Sequence, residues 1–246
     1  MGIIILVLFI FFLVILKKPT VKGSIGEWQV KRKLMGLDEE EYVVLHDLLL
    51  PYEEGTTQID HVVVSTVGIF VIETKNYKGW IFGKERQKYW KQVIYKKNYN
   101  FLNPVMQNFA HLTAIQALIK EMYEGPYYSL IAFSNEATFK NIEITSDHVR
   151  VLYISDLFKT IKSYEQKVIL PYRVRQIAKL LINENIQGKE TRKIHVQEIK
   201  TKLVANQINL NTEICPRCSG HLITRKGKYG DFKGCSNFPK CRYVLK

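Results

Sequence analysis

The chain opens on an unbroken apolar run, residues 3–16, closed by Lys17, Lys18 and Pro19. As a helix, residues 1–16 would measure ~24 Å against a hydrocarbon core of ~30 Å, and the two lysines can snorkel to its edge. The run predicts a single transmembrane anchor at 1–18. A cleaved signal peptide would want basic residues before the run and a small-x-small site after it, and neither is present. A core helix would show a polar face. The lysine pair on the C-terminal side predicts a single-pass protein of the cell membrane whose later domains face the cytoplasm. Beyond the anchor, 19–188 reads as a compact α/β domain. The pattern predicts a helix over 23–36, with Ser24 as N-cap and Trp28 and Leu34 as apolar positions, then a strand over 42–49 closed by Pro51. Two β-rich runs follow at 58–65 and 68–75, joined by a short turn at Thr66-Val67, then a hairpin-like pair at 79–83 and 89–95. Asn103-Pro104 opens a helix from 105 to about 122, with Phe109, Leu112, Ile115 and Ile119 at helical spacing. Strands at 127–133 and 149–153 and helices near 155–163 and 171–185 complete the domain, and 189–212 reads as a polar, basic linker.

The chemistry concentrates in the hairpin at 58–75. A turn centred between Thr66 and Val67 sets Asp60 opposite Glu73, ~5 Å apart at Cβ, with Lys75 on the same face as Glu73. Around them the hairpin is apolar: Val62, Val63, Val64, Ile69, Phe70, Val71 and Ile72. Two carboxylates so close repel each other, and a divalent cation is the natural accommodation. Carboxylate oxygens suit Mg²⁺ or Mn²⁺, with water and a phosphate in the remaining positions. Lys75 is then placed to orient an attacking water or offset charge on a transition state. An acid-x-lysine triplet alone is usually a strand-end ion pair. The facing Asp60 is what makes this one a candidate site.

Composition narrows the partners. With 46% hydrophobic and 24% charged residues the chain is neither disordered nor polytopic. Lys and Arg number 36 against 23 Asp and Glu, a net charge of +13 that favours a polyanion, nucleic acid or anionic lipid. The surplus is uneven: 189–246 holds 13 basic and 4 acidic residues. All four cysteines lie in the last 32 residues, as Cys215, Cys218, Cys235 and Cys241. Two thiolate pairs in one short segment predict a closed four-cysteine zinc site, the staple without which so small a module could not fold. Lys228, Lys233, Lys240 and Arg242 beside Tyr229, Phe232, Phe238 and Tyr243 offer this ribbon phosphate contacts and stacking faces, against the rival of a protein-docking ribbon. Farther upstream, Lys84, Arg86, Lys88, Lys91, Lys96 and Lys97 interleave with Trp80, Phe82, Tyr89, Trp90, Tyr95 and Tyr99. That pattern suits nucleic acid, or else a solvated hairpin with its rings toward the core. No histidine pair has metal-type spacing, no P-loop or nucleophile elbow is present, and His61, facing away from Asp60, is expected to pack.

These residues carry two resemblances. Gly26-Glu27, Gln58-Ile59-Asp60-His61, the segment Gly68-Ile69-Phe70-Val71-Ile72-Glu73-Thr74-Lys75, Gly79, and Asn103-Pro104 with Gln107 resemble the nuclease-related domain, grouped with the PD-(D/E)xK nucleases. The resemblance covers about 23–135. It implies a restriction-endonuclease-like core, a mixed sheet flanked by helices, with Asp60 and Glu73 as metal ligands and Lys75 as the catalytic lysine. It further implies Glu27 as an acid near the metal and Gln107 as a polar group at the site or the substrate backbone. Over 213–244 the chain is similar to the zinc fingers of bacterial type IA DNA topoisomerases, through Cys215-Pro216-Arg217-Cys218, the stretch from Gly227 to Cys235 and Ser236-Asn237-Phe238-Pro239-Lys240-Cys241. That implies single-stranded DNA as its partner, and no strand passage. The reading is thus a membrane-anchored, metal-dependent, DNA-binding nuclease-like protein, against a tether that holds DNA without cutting and an adaptor at anionic lipid. Similarity of site does not by itself establish activity.

Overall fold

The computed structural model describes residues 19–53, 55–186 and, nearer the C-terminus, 213–245 except 216, 219, 228 and 229. The predicted anchor at 3–16 and the linker at 189–212 lie outside the described residues. Among the described residues no helix is long and apolar enough to cross a membrane. They fall into two compact units, one within 19–186 and one within 213–245.

The larger unit is built on a five-stranded mixed sheet. Strands β1 (Tyr42–Tyr52), β2 (Gly55–Ser65) and β3 (Gly68–Lys75) form an antiparallel meander, and β3 then pairs in parallel with β7 (Tyr127–Phe133), which pairs in parallel with β9 (Val149–Tyr153). Helices cover both faces. On one side α2 (Pro104–Ile119) and α4 (Pro171–Glu184) bury Leu112, Ile115, Val174 and Ile177 against Val62, Val64, Ile69 and Val71. On the other, α1 (Pro19–Leu34) and α3 (Leu157–Lys162) bury Val30, Leu34, Leu157 and Ile161 against Val63, Phe70 and Ile72. Both faces of β2 and β3 are thus covered, which is why those strands read as continuous apolar runs rather than as alternation. The mixed sheet flanked by helices agrees with the expected α/β class.

A second sheet, in the order β6 (Lys97–Leu102), β5 (Tyr89–Ile94), β4 (Gly79–Lys84), β8 (Ala137–Glu143), packs Ile81 and Trp90 against Phe133 and Val105. The hairpin-like pair expected here is real but is half of a four-stranded sheet. β8 carries mostly exposed side chains and exists because it pairs in parallel with β4, a long-range contact with no local periodicity.

Three local expectations are corrected. Ser24 is no N-cap but lies within α1, whose described part already begins at Pro19. Pro51 does not close β1. The strand runs through it to Tyr52 because β1 is a sheet edge, where a missing N–H is tolerated. Phe109 is 66% exposed on α2, whose buried residues include Val105, Asn108, His111 and Leu112. That face is partly polar, so apolar spacing misjudged it.

Candidate active site and zinc ribbon

The β2–β3 ladder has the register expected from the turn: Ser65 pairs with Gly68 and His61 with Ile72, so Asp60 and Glu73 are the next facing positions. Gly68 at the turn has φ +141°, and a Cβ there would meet the Pro126 carbonyl at 2.7 Å. Beyond the last pair the strands separate, and Asp60 Oδ2 accepts a hydrogen bond from the Thr74 N–H at 2.8 Å. Glu73 is buried, with Lys75 paired to Oε1 and the His111 imidazole Nε2 3.1 Å from Oε2. The second nitrogen of His111 lies 2.8 Å from Thr57 Oγ1. Both oxygens of Glu73 therefore have a partner, one from its own strand and one from α2.

Two more carboxylates approach from separate elements. Gly26 puts α1 against the end of β3, since a Cβ there would lie 2.9 Å from Asn76 Cβ, and so brings Glu27 within the field of Glu73 and Asp47. Asp47 faces Asp60 across β1 and β2, between the pairs His46–His61 and Leu48–Ile59. It holds φ +55° and accepts from Gln58 Nε2 at 2.8 Å. Asp tolerates this left-handed backbone better than most residues.

The electrostatics follow from this crowding. Burial first, then the charge of Glu73, push the Asp60 carboxyl up to about 7. Burial opposes ionisation of Glu73 as well, but the attraction of Lys75 and the His111 hydrogen bond overcome it and hold that carboxyl at about 2. Burial also works against the Lys75 cation, yet the charge of Glu73 outweighs it and raises its pKa. Burial and the neighbouring Asp47 and Glu73 raise Glu27. The site has more carboxylates than one lysine can neutralise. Oxygen donors in such excess fit a hard divalent cation.

Asp60→Asn is accordingly expected to stabilise the larger unit in zinc-loaded protein without free divalent cation. A carboxyl near 3.9 in the unfolded chain and about 7 when folded binds its proton more tightly in the native state. Its cost therefore grows as pH rises through that window and is complete above it. The full difference corresponds to about 4 kcal/mol, and because Asp60 and Glu73 share it we expect about 2 kcal/mol. Thermal melting at pH 8 should rise by roughly 4–8 °C, with no gain near pH 4. Equal melting at pH 8 would contradict this account of the site.

Gln107 lies one turn before His111 on α2 and is partly exposed. Sequence reasoning singled out Gln107 and passed over His111, although a spacing of four sets both on one helix face. Two buried asparagines hold that helix in place. Asn103 caps it through Val105 N–H at 2.9 Å and donates to the Glu85 and Gln87 carbonyls at 2.7 and 2.6 Å. Asn108 donates to the Val71 carbonyl and to Ser129 Oγ, both at 2.8 Å. His61 is buried on the opposite face from Asp60, 2.8 Å from His46 between Nδ1 atoms, and packs as expected. Past the carboxyl ends of β3, β7 and β9, a cleft of about 740 Å³ runs beside α1, lined by Trp28, Arg32, Lys33, Asn76, Lys78 and Glu136 among others. Open α/β sheets characteristically bind ligands at such strand ends.

The smaller unit is a three-stranded antiparallel ribbon, β10 (Leu222–Gly227), β11 (Gly230–Cys235) and β12 (Val244–Leu245). The four thiol sulfurs all lie within 4.8 Å of one another, with Cys215 and Cys241 3.8 Å apart. Four sulfurs ~2.3 Å from a tetrahedral zinc would be ~3.8 Å apart, so these residues fit a structural zinc. Among the described residues this is the one set of three or more such ligands gathered so closely. A groove of about 660 Å³ brings together Phe232, Phe238, Arg242 and Tyr243 from the expected contacts, with Arg225 and Lys226, which were not singled out. Lys233 is ion-paired to Glu213 and Lys240 is exposed. Lys228 and Tyr229 lie outside the described residues.

Residues 22–134 match the model of the nuclease-related domain, and 212–246 that of the topoisomerase DNA binding C4 zinc finger. An uncharacterized protein of Bacillus anthracis is 40% identical over 185 residues, 75% of this chain and 86% of that protein. DNA topoisomerase 1 of Mycoplasmoides gallisepticum is 45% identical over 51 residues, 21% of this chain but 7% of the topoisomerase. An uncharacterized Escherichia coli protein is 53% identical over 34 residues, 14% of this chain and 19% of its own length. No solved structure matches the chain. With the nuclease-related domain at 22–134 and a relative so similar along most of its length, the chain belongs to the family of nuclease-related domain proteins, here with a topoisomerase-type C4 zinc finger at 212–246.

Proposed function

We propose that the protein is a membrane-anchored, DNA-binding nuclease that hydrolyses phosphodiester bonds with Mg²⁺ or Mn²⁺ held by Asp60 and Glu73. The observation that carries this reading is the pair Asp60 and Glu73 beside a buried Lys75, with Glu27 in the field of Glu73. A divalent cation bound there supplies Lewis-acid polarisation of a phosphate and a more acidic water. Lys75, kept protonated by its carboxylate neighbours, acts as fixed positive charge beside the reacting phosphate rather than as a base. His111 orients the Glu73 carboxylate, and Glu27 sits in the next shell of charge. Arg32, Lys33 and Lys78 in the adjoining cleft offer contacts to flanking phosphates, and Trp28, 55% exposed, offers a stacking face. The zinc ribbon holds the DNA, preferentially as a single strand, through its ringed basic groove. The apolar run at 3–16 supports the membrane anchor in this reading, and Lys17 and Lys18 after it support a cytoplasmic orientation.

The test is the full-length, zinc-loaded chain with labelled single-stranded, duplex and branched DNA, in Mg²⁺, Mn²⁺ or neither, beside Glu73→Ala and Lys75→Ala. Cutting that needs the metal and is lost in both variants supports the reading. DNA binding without cutting, equal in all three proteins, leaves a DNA tether. Stronger binding to anionic vesicles than to single strands overturns the nucleic-acid assignment.

A further inference from the structure

The sheet β6-β5-β4-β8 has one face in the core and one in solvent. Ile81 and Trp90 point inward, and Trp90 stacks on Phe133 at an interplanar angle of 4°. Gly83 makes room for that indole, since a Cβ there would lie 2.1 Å from the ring. Trp90 Nε1 also donates to the Lys84 carbonyl at 3.0 Å, which fixes β4 over the core. Trp90, grouped with the stacking rings on sequence pattern alone, is therefore a core residue. Alternation sends Trp80, Phe82 and Lys84 to the other side. Lys91 lies directly across from Phe82, and Tyr89 faces the position of Lys84 as that register continues.

On this outer face the rings and cations are already matched. Lys140 Nζ sits 4.8 Å from the Trp80 ring centre, Lys91 4.8 Å from Phe82 and Lys88 5.3 Å from Tyr89. Trp80 and Tyr89 are 48% and 51% exposed. The four strands and their turns carry seven Lys or Arg against two acids in 79–102 and 137–143. Both acids are occupied: Glu143 pairs with Lys84 at 2.7 Å, and Glu85 accepts hydrogen bonds from Thr145 and Ser146. The face therefore offers aromatic surface inside a positive field, which calls for a partner with exposed π-faces and regular negative charge. Trp80, Phe82 and Tyr89 follow one another in steps of ~7 Å. That is about twice the ~3.4 Å rise of stacked bases, the spacing of a strand whose bases are splayed out one per ring.

We propose that this outer face, through Trp80, Phe82, Tyr89, Lys88, Lys91 and Lys140, is a binding platform for single-stranded nucleic acid, distinct from the carboxylate site and from the zinc ribbon. Bases stack on the rings, and the lysines move from the ring faces to the phosphates. The platform rests on no property of the carboxylate site, so the proposal survives or fails separately from nuclease activity.

The test uses full-length, zinc-loaded Glu73→Gln protein, which removes cutting from the readout. Fluorescence anisotropy would compare a labelled oligothymidylate with an abasic strand of equal length. Each is measured with Trp80 intact, Trp80→Ala and Trp80→Phe, and each again with Arg225→Ala and Phe238→Ala blunting the ribbon. Trp80→Ala should weaken oligothymidylate binding roughly ten-fold in both backgrounds, leave the abasic strand nearly unchanged, and be largely rescued by Trp80→Phe. Equal affinities for Trp80 and Trp80→Ala in the blunted background, or an equal loss on both strands, would overturn the platform. Hydrogen exchange of 79–102 gives a second readout: protection by oligothymidylate supports the proposal, and unchanged exchange at saturation contradicts it.

Discussion

Cys235→Ser is expected to unfold the ribbon while leaving the melting of the larger unit within about 2 °C. The buried apolar set of this small unit is Cys215, Leu222, Cys235 and Cys241, with Tyr243 packed against it, so three of its four buried members are thiols. A three-stranded ribbon with one buried leucine has nothing else to set against the conformational entropy of ordering it. Structural zinc contributes an apparent 10–16 kcal/mol in comparable small modules, roughly the whole of their stability. Because the ligands are thiolates, zinc affinity falls as pH drops, and chelation should reproduce the mutation at neutral pH. Hydrogen exchange across 213–245 is the measurement. Fast exchange in both Cys235→Ser and chelated protein, with protection restored to wild type by zinc, is the expected result. Persistent protection without metal would show that the fold does not need the ion.

Glu73→Ala and Lys75→Ala should part company in a way that assigns their roles. Each is expected to lower the rate of DNA cutting by roughly 10²–10³-fold, the usual effect of removing one charged group from a transition-state site. Their effects on the metal should differ in sign. Glu73→Ala removes a proposed ligand, so calorimetric binding of Mg²⁺ should be lost. Lys75→Ala frees the oxygen of Glu73 that Lys75 now holds, leaving a more negative site that should bind Mg²⁺ more tightly. His111→Gln, which keeps a hydrogen-bonding side chain against Glu73, should cost far less than either. Unchanged Mg²⁺ binding in Glu73→Ala would remove Glu73 from the metal site. Equal loss of binding in both variants would reduce Lys75 to a structural partner.

What was legible in the sequence is what is short-range. The turn at Thr66-Val67 couples residues close along the chain, so counting outward from it placed Asp60 against Glu73. The cysteines declared their ligand set through spacing, because a tetrahedral shell in a short module leaves few alternatives. Asn103-Pro104 marked the start of α2, where a side-chain cap and a residue without an N–H are both favoured.

The remainder depended on contacts between distant segments. β6 and β8 carry little alternation and become strands through their neighbours in the second sheet. Asp47 joined the site only once β1 was paired to β2 with that residue at positive φ. His111 reached Glu73 across 38 residues because Asn103 and Asn108 fix α2 over β3. Trp80 and Trp90 are alike in sequence, yet one is half exposed and the other buried, because the pairing of β4 with β5 sets them on opposite faces of the sheet. Local spacing named the groups able to do chemistry: three charged side chains around one hairpin and four thiols in one ribbon. What surrounds them came from the fold, because burial, pKa and exposure are set by packing between segments that the chain order keeps far apart.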